Sequence, residues 1–190
     1  MSNQSEIVKS LCTISEMLTD RGITCVEKYI SYSETEIEQL TSNRLVFHID
    51  LDDIKMRIVY NLAQKFKYNE IKGMYKPDIK SYLFVSKEKV NANEVKKLEE
   101  TFSDYQLFEL KELTFNITKH HYVPKHELLL DEALIKEIES VYHLKSKNQL
   151  PLILKNDPMA KYLNAKSGQI VKVTRYSPTS GEHVVYRSCV

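Results

Sequence analysis

The sequence predicts an α/β unit over residues 1–113 followed by a smaller α+β unit over 114–190, the second built on a short helix and a β-hairpin. Three observations carry this. Helix-period and strand-period stretches alternate through the first 110 residues, as they do where crossover helices pack on a sheet. Past residue 113 the pattern changes to polar punctuation around Pro124, one amphipathic helix, and a tail marked by Pro and Gly. A chain of 190 residues with 42% hydrophobic and 28% charged content is enough for one domain, or for two small ones with a core each.

In the first unit Ile7, Leu11, Ile14 and Leu18 recur at helical spacing. The run stops at Asp20-Arg21-Gly22, where glycine suits the left-handed residue after a helix end. Residues 23–26 predict a short strand. Ser33-Glu34-Thr35-Glu36 reads as a capping box before a helix bearing Ile37 and Leu40. Leu45, Phe47 and Ile49 alternate with Val46 and His48, the period of a half-buried strand. Ile54, Ile58, Leu62 and Phe66 predict an amphipathic helix. Tyr82-Leu83-Phe84-Val85 is a continuous apolar run, the mark of a strand covered on both faces. Asn91 with Glu94 predicts a capped helix start, Val95, Leu98 and Phe102 its stripe, and Leu107, Phe108 and Leu110 a further strand.

In the second unit Asp131 caps a helix in which Leu134, Ile135, Ile138, Val141 and Tyr142 fall at i, i+1, i+4, i+7 and i+8. Leu152-Ile153-Leu154 reads as extended chain after the break at Pro151. Asp157 fits an N-cap and Pro158 the first helical position, where its missing N–H costs nothing. Residues 159–164 then make a helix of under two turns, ended by Lys166-Ser167-Gly168. Val171 and Val173 alternate with Lys172 and Thr174, Ser177-Pro178-Thr179-Ser180-Gly181 is turn chemistry, and residues 183–187 return as a strand.

Composition narrows the function. A formal net charge of +1 argues against a protein that coats nucleic acid, so any such contact is local. No segment approaches the roughly 20 apolar residues of a membrane span, and the opening lacks the basic and apolar regions of a signal peptide; together these predict a soluble, intracellular chain. Cys12, Cys25 and Cys189 are far apart, which predicts neither a disulfide framework nor a four-cysteine zinc site.

Motifs for catalysis are thin. Pro77-Asp78 with Glu94-Val95-Lys96 has the residue types of a metal-dependent nuclease, two carboxylates for a divalent ion and a lysine for the attacking water. Glu94 and Lys96 diverge, however, if they open a helix. His120, His121, His126 and His143 have no ligand spacing and no supporting carboxylate, so no metal is expected. A chain with four glycines has no phosphate loop, and no serine or tyrosine stands at a recognisable distance from a base. Between residues 65 and 89, seven lysines face three carboxylates, a local excess of +4. Solvated faces account for most such runs, but Lys72, Lys76, Lys80 and Lys87 could also form a small phosphate-facing patch.

The C-terminal motifs form an ordered series. "NITKHHYVPKHELL" (116–129) and "QLPLILKNDPMAKYLNAKSGQIVKVTRYSPTSGEHVVYR" (149–187) resemble the fifth subunit of eukaryotic nuclear RNA polymerases and its short archaeal counterpart. The resemblance lies in Asn-Ile-Thr, Val-Pro-x-His, Leu-Pro, Asp-Pro-x-Ala-x-Tyr, Gly-Gln-x-Val-Lys, Arg-x-Ser-x-Thr-x-Gly and Tyr-Arg, in that order. It implies an N-terminal jaw-like domain near downstream DNA and a C-terminal assembly domain docked on the largest subunit. The chain would then be a non-catalytic subunit without cofactor or small-molecule substrate, with nucleotide addition carried by the large subunits. The missing tryptophan near the start and the shortened loops imply a divergent member, from a large DNA virus or a fast-evolving eukaryote. Its location would be the nucleus in a cell, and the virion and host cytoplasm in a virus. The matched positions are Pro151, Asp157, Pro158, Tyr162, Gln169, Arg175, Ser177, Thr179, Tyr186 and Arg187, together with Gly168 and Gly181. Asp157, Pro158 and the glycines are expected to set shape, and Tyr162, Arg175 and Arg187 to meet the partner. A nuclease using Asp78 and Glu94, or a stand-alone DNA-binding regulator, are the competing readings.

Overall fold

Residues 2–23, 34–41, 44–177, 179 and 181–190 are described by the computed structural model, and they fall into two units divided at 115/116. Ser33 of the expected capping box, and residues 24–26 of the first expected strand, lie outside the described residues.

The N-terminal unit opens with helix α1 (Ser2–Asp20), which buries Ile7, Leu11, Ile14, Met17 and Leu18 along one stripe. Its end is closed by Ile23 N donating to Leu18 O at 3.0 Å and Gly22 N to Thr19 O at 2.9 Å, with Gly22 at φ +80°. That pair of bonds requires a left-handed residue, which glycine supplies without a Cβ clash. Helix α2 (Glu34–Thr41) buries Ile37. Four strands follow in sheet order β1 (Val46–Leu51), β2 (Met56–Asn61), β3 (Ser81–Ser86) and β4 (Tyr105–Glu109). β1 is antiparallel to β2, and β2, β3 and β4 run parallel.

Two crossover helices, α3 (Tyr68–Lys72) and α4 (Ala92–Thr101), connect the parallel strands. Ile71 of α3, Leu98 of α4 and Phe102 just beyond it cluster with Val46, Val59, Tyr82 and Phe84 of the sheet. Both helices therefore cover one face, as successive crossovers of the same hand require. Phe47, Ile49, Ile58, Tyr60, Leu83, Val85 and Phe108 are buried on the other face. There the Ser10 hydroxyl of α1 and the Tyr60 hydroxyl lie 2.8 Å apart, and burial raises the Tyr60 phenol above its ordinary value. Asn91 occupies the N-cap position of α4, but its side chain makes no capping bond.

β2 replaces the helix expected through Ile54, Ile58, Leu62 and Phe66. Asp52–Ile54 is a single 3-10 turn, closed by Lys55 in the left-handed region at φ 50°. The chain then turns into a strand buried on both faces, so Arg57-Ile58-Val59-Tyr60 carries no strand period to read. The i, i+4 spacing of Ile54 and Ile58 is incidental to this packing.

Arg57 is 1% exposed within the sheet and faces its register partner Asp50. Its Nε and Nη2 each donate to one Asp50 carboxylate oxygen at 2.5 Å, and Nη1 donates to Met74 O. The paired guanidinium holds the Asp50 carboxyl below its ordinary 3.8. Lys76 N donates to the Tyr82 hydroxyl at 2.8 Å, and that hydroxyl donates back to Lys76 O at 3.0 Å. The segment between α3 and β3 is thus tied down at Met74 and at Lys76.

The C-terminal unit is a second sheet, ordered β5 (Lys125–Leu129), β7 (Ile170–Ser177), β8 (Gly181–Cys189) and β6 (Leu152–Ile153). β7 and β8 form the expected hairpin, β5 is antiparallel to β7, and the two-residue β6 is parallel to β8. β5 falls where the sequence read only as a polar lead-in, because Lys125-His126-Glu127 offers no apolar alternation. Helices α5 (Glu132–Val141) and α6 (Pro158–Leu163) complete the unit. Asp131 caps α5 through Ala133 N at 2.9 Å. Of the expected α5 stripe only Ile138 is buried, while Leu134, Val141 and Tyr142 are 45%, 66% and 52% exposed.

α5 ends in the same two-bond closure as α1, with Leu144 N on Glu139 O at 2.8 Å and His143 N on Ser140 O at 3.1 Å. Here the left-handed position, φ 52°, is held by His143. His143→Gly is expected to stabilise the protein by about 0.5–1 kcal/mol, because glycine removes the Cβ strain at that position. The check is urea unfolding, in which the midpoint should rise without a change of slope.

Candidate functional site

The short helix α6 is shaped by the residues that the C-terminal motif supplies. Asp157 caps it by accepting from Met159 N at 2.8 Å, Pro158 occupies its first turn, and Asn164 closes it at φ 54°. Met159, Ala160 and Tyr162 turn inward, and Tyr162 is 4% exposed. Asn116 Nδ2 donates to the Tyr162 hydroxyl at 3.2 Å, while Asn116 Oδ1 accepts from Thr118 N at 2.9 Å and its hydroxyl at 2.7 Å. The Asn-Ile-Thr and Asp-Pro-x-Ala-x-Tyr elements, 46 positions apart at this contact, therefore meet in the interior. Expected as a partner contact, Tyr162 is a packing residue that joins the start of the unit to α6.

Gln169 is likewise drawn into a turn, its Oε1 accepting from Lys166 N at 2.7 Å, beside Gly168 at φ +83°. Pro151 is exposed, and its carbonyl accepts from Ser188 N at 2.9 Å at the start of the β6–β8 pairing. At the hairpin tip the Ser177 and Thr179 hydroxyls lie 3.1 Å apart, and Gly181 opens β8 at φ +71°.

Register sorts the rest. Arg175 pairs with His183, and Arg187 lies four residues further along β8, so both arginines stand on one face, about 13 Å apart. Arg187 Nη1 also donates to Leu152 O at 2.8 Å. Among the described residues, β5, β7 and β8 place no carboxylate on that face, since Glu127 and Glu182 point to the other. Tyr186 stands on that other face, its ring edge-to-face with Tyr142 beyond the end of α5 at 5.9 Å.

The apolar surface is unevenly shared. Of twelve exposed large hydrophobic residues among those described, nine lie in the C-terminal unit: Tyr122, Leu130, Leu134, Val141, Tyr142, Leu152, Leu154, Tyr176 and Val190. The 75 residues of this unit thus carry three times as many exposed large apolar side chains as the described residues of the first. Cys189 is buried, which raises its thiol above the ordinary value, and it donates weakly to Ala165 O at 3.7 Å. It is a core residue without reactive character.

The other candidates disperse. Lys72, Lys76 and Lys80 lie between the last residue of α3 and the beginning of β3, whereas Lys87 follows the end of β3. Six residues of strand separate Lys80 from Lys87, roughly 20 Å. Lys76 also sits 3.7 Å from Asp50. The lysine run therefore forms no single patch. Asp78 and Glu94 stand at the same two opposite ends of β3, too far apart to share one ion, and Glu94 pairs with Lys97 at 3.0 Å. His126 is fixed by its own chain, Nδ1 lying 2.7 Å from Pro124 O. His120 and His121 pack against the exposed Tyr122 ring.

Residues 115–189 match the family described as RNA polymerase Rpb5, C-terminal domain. Over those residues the chain is similar to the fifth RNA polymerase subunit. The matched stretch begins one residue before the division between the units and ends on the last residue of β8, so it takes in the whole second sheet. The Dictyostelium discoideum protein "DNA-directed RNA polymerases I, II, and III subunit rpabc1" is 45% identical over 83 residues, 44% of this chain and 41% of the relative. The alignment thus spans less than half of that protein. The Arabidopsis thaliana protein "DNA-directed RNA polymerases IV and V subunit 5B" is 29% identical over 198 aligned positions, 94% of this chain and 86% of the relative.

Within the matched unit, the sequence left three site features unread: the strand β5, the Tyr142–Tyr186 contact, and the outward turn of Leu134 and Val141. Helical spacing signals that a face is apolar, not whose core it enters, so only the last feature left a trace in the sequence.

Proposed function

We propose that this chain is a non-catalytic subunit of a multisubunit DNA-directed RNA polymerase. Its C-terminal unit docks on the largest subunit, and its N-terminal unit is the jaw, lying near duplex DNA ahead of the enzyme. The observation that carries the reading is the concentration of exposed large apolar side chains in the Rpb5 C-terminal domain. Nucleotide addition belongs to the large subunits, and its place is the nucleus in a cell, or virion and host cytoplasm in a large DNA virus.

Within this reading the ten motif residues divide by task. Asp157, Pro158, Tyr162 and Gln169 fix α6 and the turn into β7, holding the docking face in shape. Pro151, Arg175, Ser177, Thr179, Tyr186 and Arg187 reach the surface of the unit, the two arginines on one face of the sheet and Tyr186 on the other. Tyrosine and arginine anchor interfaces because each combines large contact area with directed hydrogen bonding. Lys72, Lys76 and Lys80 are the jaw's DNA-facing group, and Lys87 belongs to a separate site at the other end of β3. Their contact with duplex is weak outside the whole enzyme and falls steeply with salt. Appreciable duplex affinity of the isolated chain at physiological salt would favour a stand-alone regulator instead.

The test is recovery of the largest polymerase subunit with the tagged full chain. Val141→Glu combined with Arg175→Glu changes two exposed side chains and is expected to lower recovery at least tenfold, since about 1.4 kcal/mol is enough for that. The thermal midpoint of the free chain should not move. Undiminished recovery would remove the docking assignment.

A further inference from the structure

The second sheet has an opening in its order. β8 runs for nine residues, but its neighbour β6 covers only Ser188 and Cys189. Ser188 N donates to Pro151 O and Val190 N to Ile153 O, so even-numbered residues of β8 direct their backbone toward the β6 side. Cys189 N donates to Gln169 O, so odd-numbered residues direct theirs toward β7. By the alternation of an antiparallel ladder, Glu182, Val184 and Tyr186 therefore present N–H and C=O groups along an edge that no described strand occupies.

The side chains along this edge also alternate. His183, Val185 and Arg187 stand on the face that also carries Arg175, where β5, β7 and β8 place no carboxylate among the described residues. Val184 and Tyr186 stand on the face that holds the Tyr142 ring and the half-exposed Leu152. The other edge of the sheet is protected differently, since β5 carries an ion pair between Lys125 and Glu127 at 2.8 Å, a charged rim of the kind that discourages strand pairing.

We infer that the open edge of β8, over residues 182–186, is a strand-addition site for an extended segment of a polymerase subunit in which apolar and acidic residues alternate. The added strand continues the line that β6 begins. Its acidic side chains meet Arg187 and His183 on one face, and its apolar side chains pack on Val184 and Tyr186 on the other. A nucleic acid strand fits this edge poorly, because each outward residue offers a donor and an acceptor, while a phosphate backbone only accepts. The inference rests on the docking reading above and specifies its mode.

The test is amide hydrogen exchange, read residue by residue, on the full chain alone and in the polymerase that co-purifies with it. In the free chain the amides of Val184 and Tyr186 should exchange fast and those of His183, Val185 and Arg187 slowly. In the complex Val184 and Tyr186 should slow at least tenfold, because exchange then requires local opening of the new ladder. Val184→Pro removes one outward N–H without touching the bonds to β7, and is expected to cut polymerase recovery at least tenfold. If the chain assembles while Val184 and Tyr186 exchange as fast as before, docking stands and strand addition is wrong. If the same amides slow only when duplex DNA is added, the edge serves nucleic acid and the inference is equally overturned. If no polymerase is recovered with the unaltered chain, both fall together.

Discussion

Replacing Asp50 with Ala is expected to destabilise the N-terminal unit by about 3 kcal/mol, at the low end for removing one member of a buried ion pair. The cost arises at Arg57, which is 1% exposed and would keep its charge while losing both of its bonds to the carboxylate. Asp50 itself retains 27% of its side-chain exposure, so water partly replaces it and the upper end of the range is not reached. For a unit of about this size the thermal transition should fall by roughly 10 °C or more. Asp50→Leu with Arg57→Met should recover most of the loss, because an apolar pair leaves no charge unpaired. If the double variant is as unstable as Asp50→Ala alone, the charge is not the cause.

The same pair sets an acid limit. The carboxyl of Asp50 is lowered in the folded protein from its ordinary 3.8, chiefly by its hydrogen bonds to Arg57. A lowered carboxyl stabilises the fold in full above the unfolded value, and the contribution is lost as pH falls through the folded one. The N-terminal unit should therefore lose stability below about pH 4, and Asp50→Asn should flatten that part of the pH–stability curve.

What could be read from the sequence followed how local each signal is. The α1 stripe and its Gly22 closure, the Asp131 and Asp157 caps, and the β7–β8 hairpin depend on neighbours a few residues away, and the structure has them where they were expected. β2 was misread because its partners, β1 and β3, bury it on both faces, and because Arg57 looks like a surface residue until Asp50 is brought opposite. β5 was missed because a strand that opens Lys-His-Glu before its two leucines has no alternation of its own and is held by pairing to β7. The site divides in the same way. Tyr162 and Tyr186 are equivalent by residue type, yet one bonds Asn116 in the core and the other sits on the hairpin surface. Lys80 and Lys87 are neighbours in the chain and are parted by the length of β3. Register and burial decide these cases, and both arise from contacts distant in sequence.

Phe102→Ala should be the most damaging single truncation in the N-terminal unit, costing about 3–5 kcal/mol. Phe102 is 2% exposed and meets Tyr82 at 4.6 Å, Phe84 at 5.0 Å and Tyr75 at 5.7 Å, all edge-to-face. Removal of the ring leaves a cavity between α4 and the sheet and ends three aromatic pairs together. The effect should reach the lysines proposed to face DNA. Tyr82 holds Lys76 by two hydrogen bonds, Tyr75 stacks on Tyr82 at 6.2 Å, and Arg57 holds Met74 from the other side. Loss of Phe102 frees Tyr75 and one flank of Tyr82, so residues 73–80 should show faster amide exchange than the global destabilisation alone produces. Phe102→Leu refills most of the volume without the aromatic edges and should cost less than half as much. If residues 73–80 exchange no faster in Phe102→Ala than in an equally destabilised variant of α1, the ring cluster supports the core alone. The lysine-bearing segment would then be held by Arg57 and Tyr82 without it.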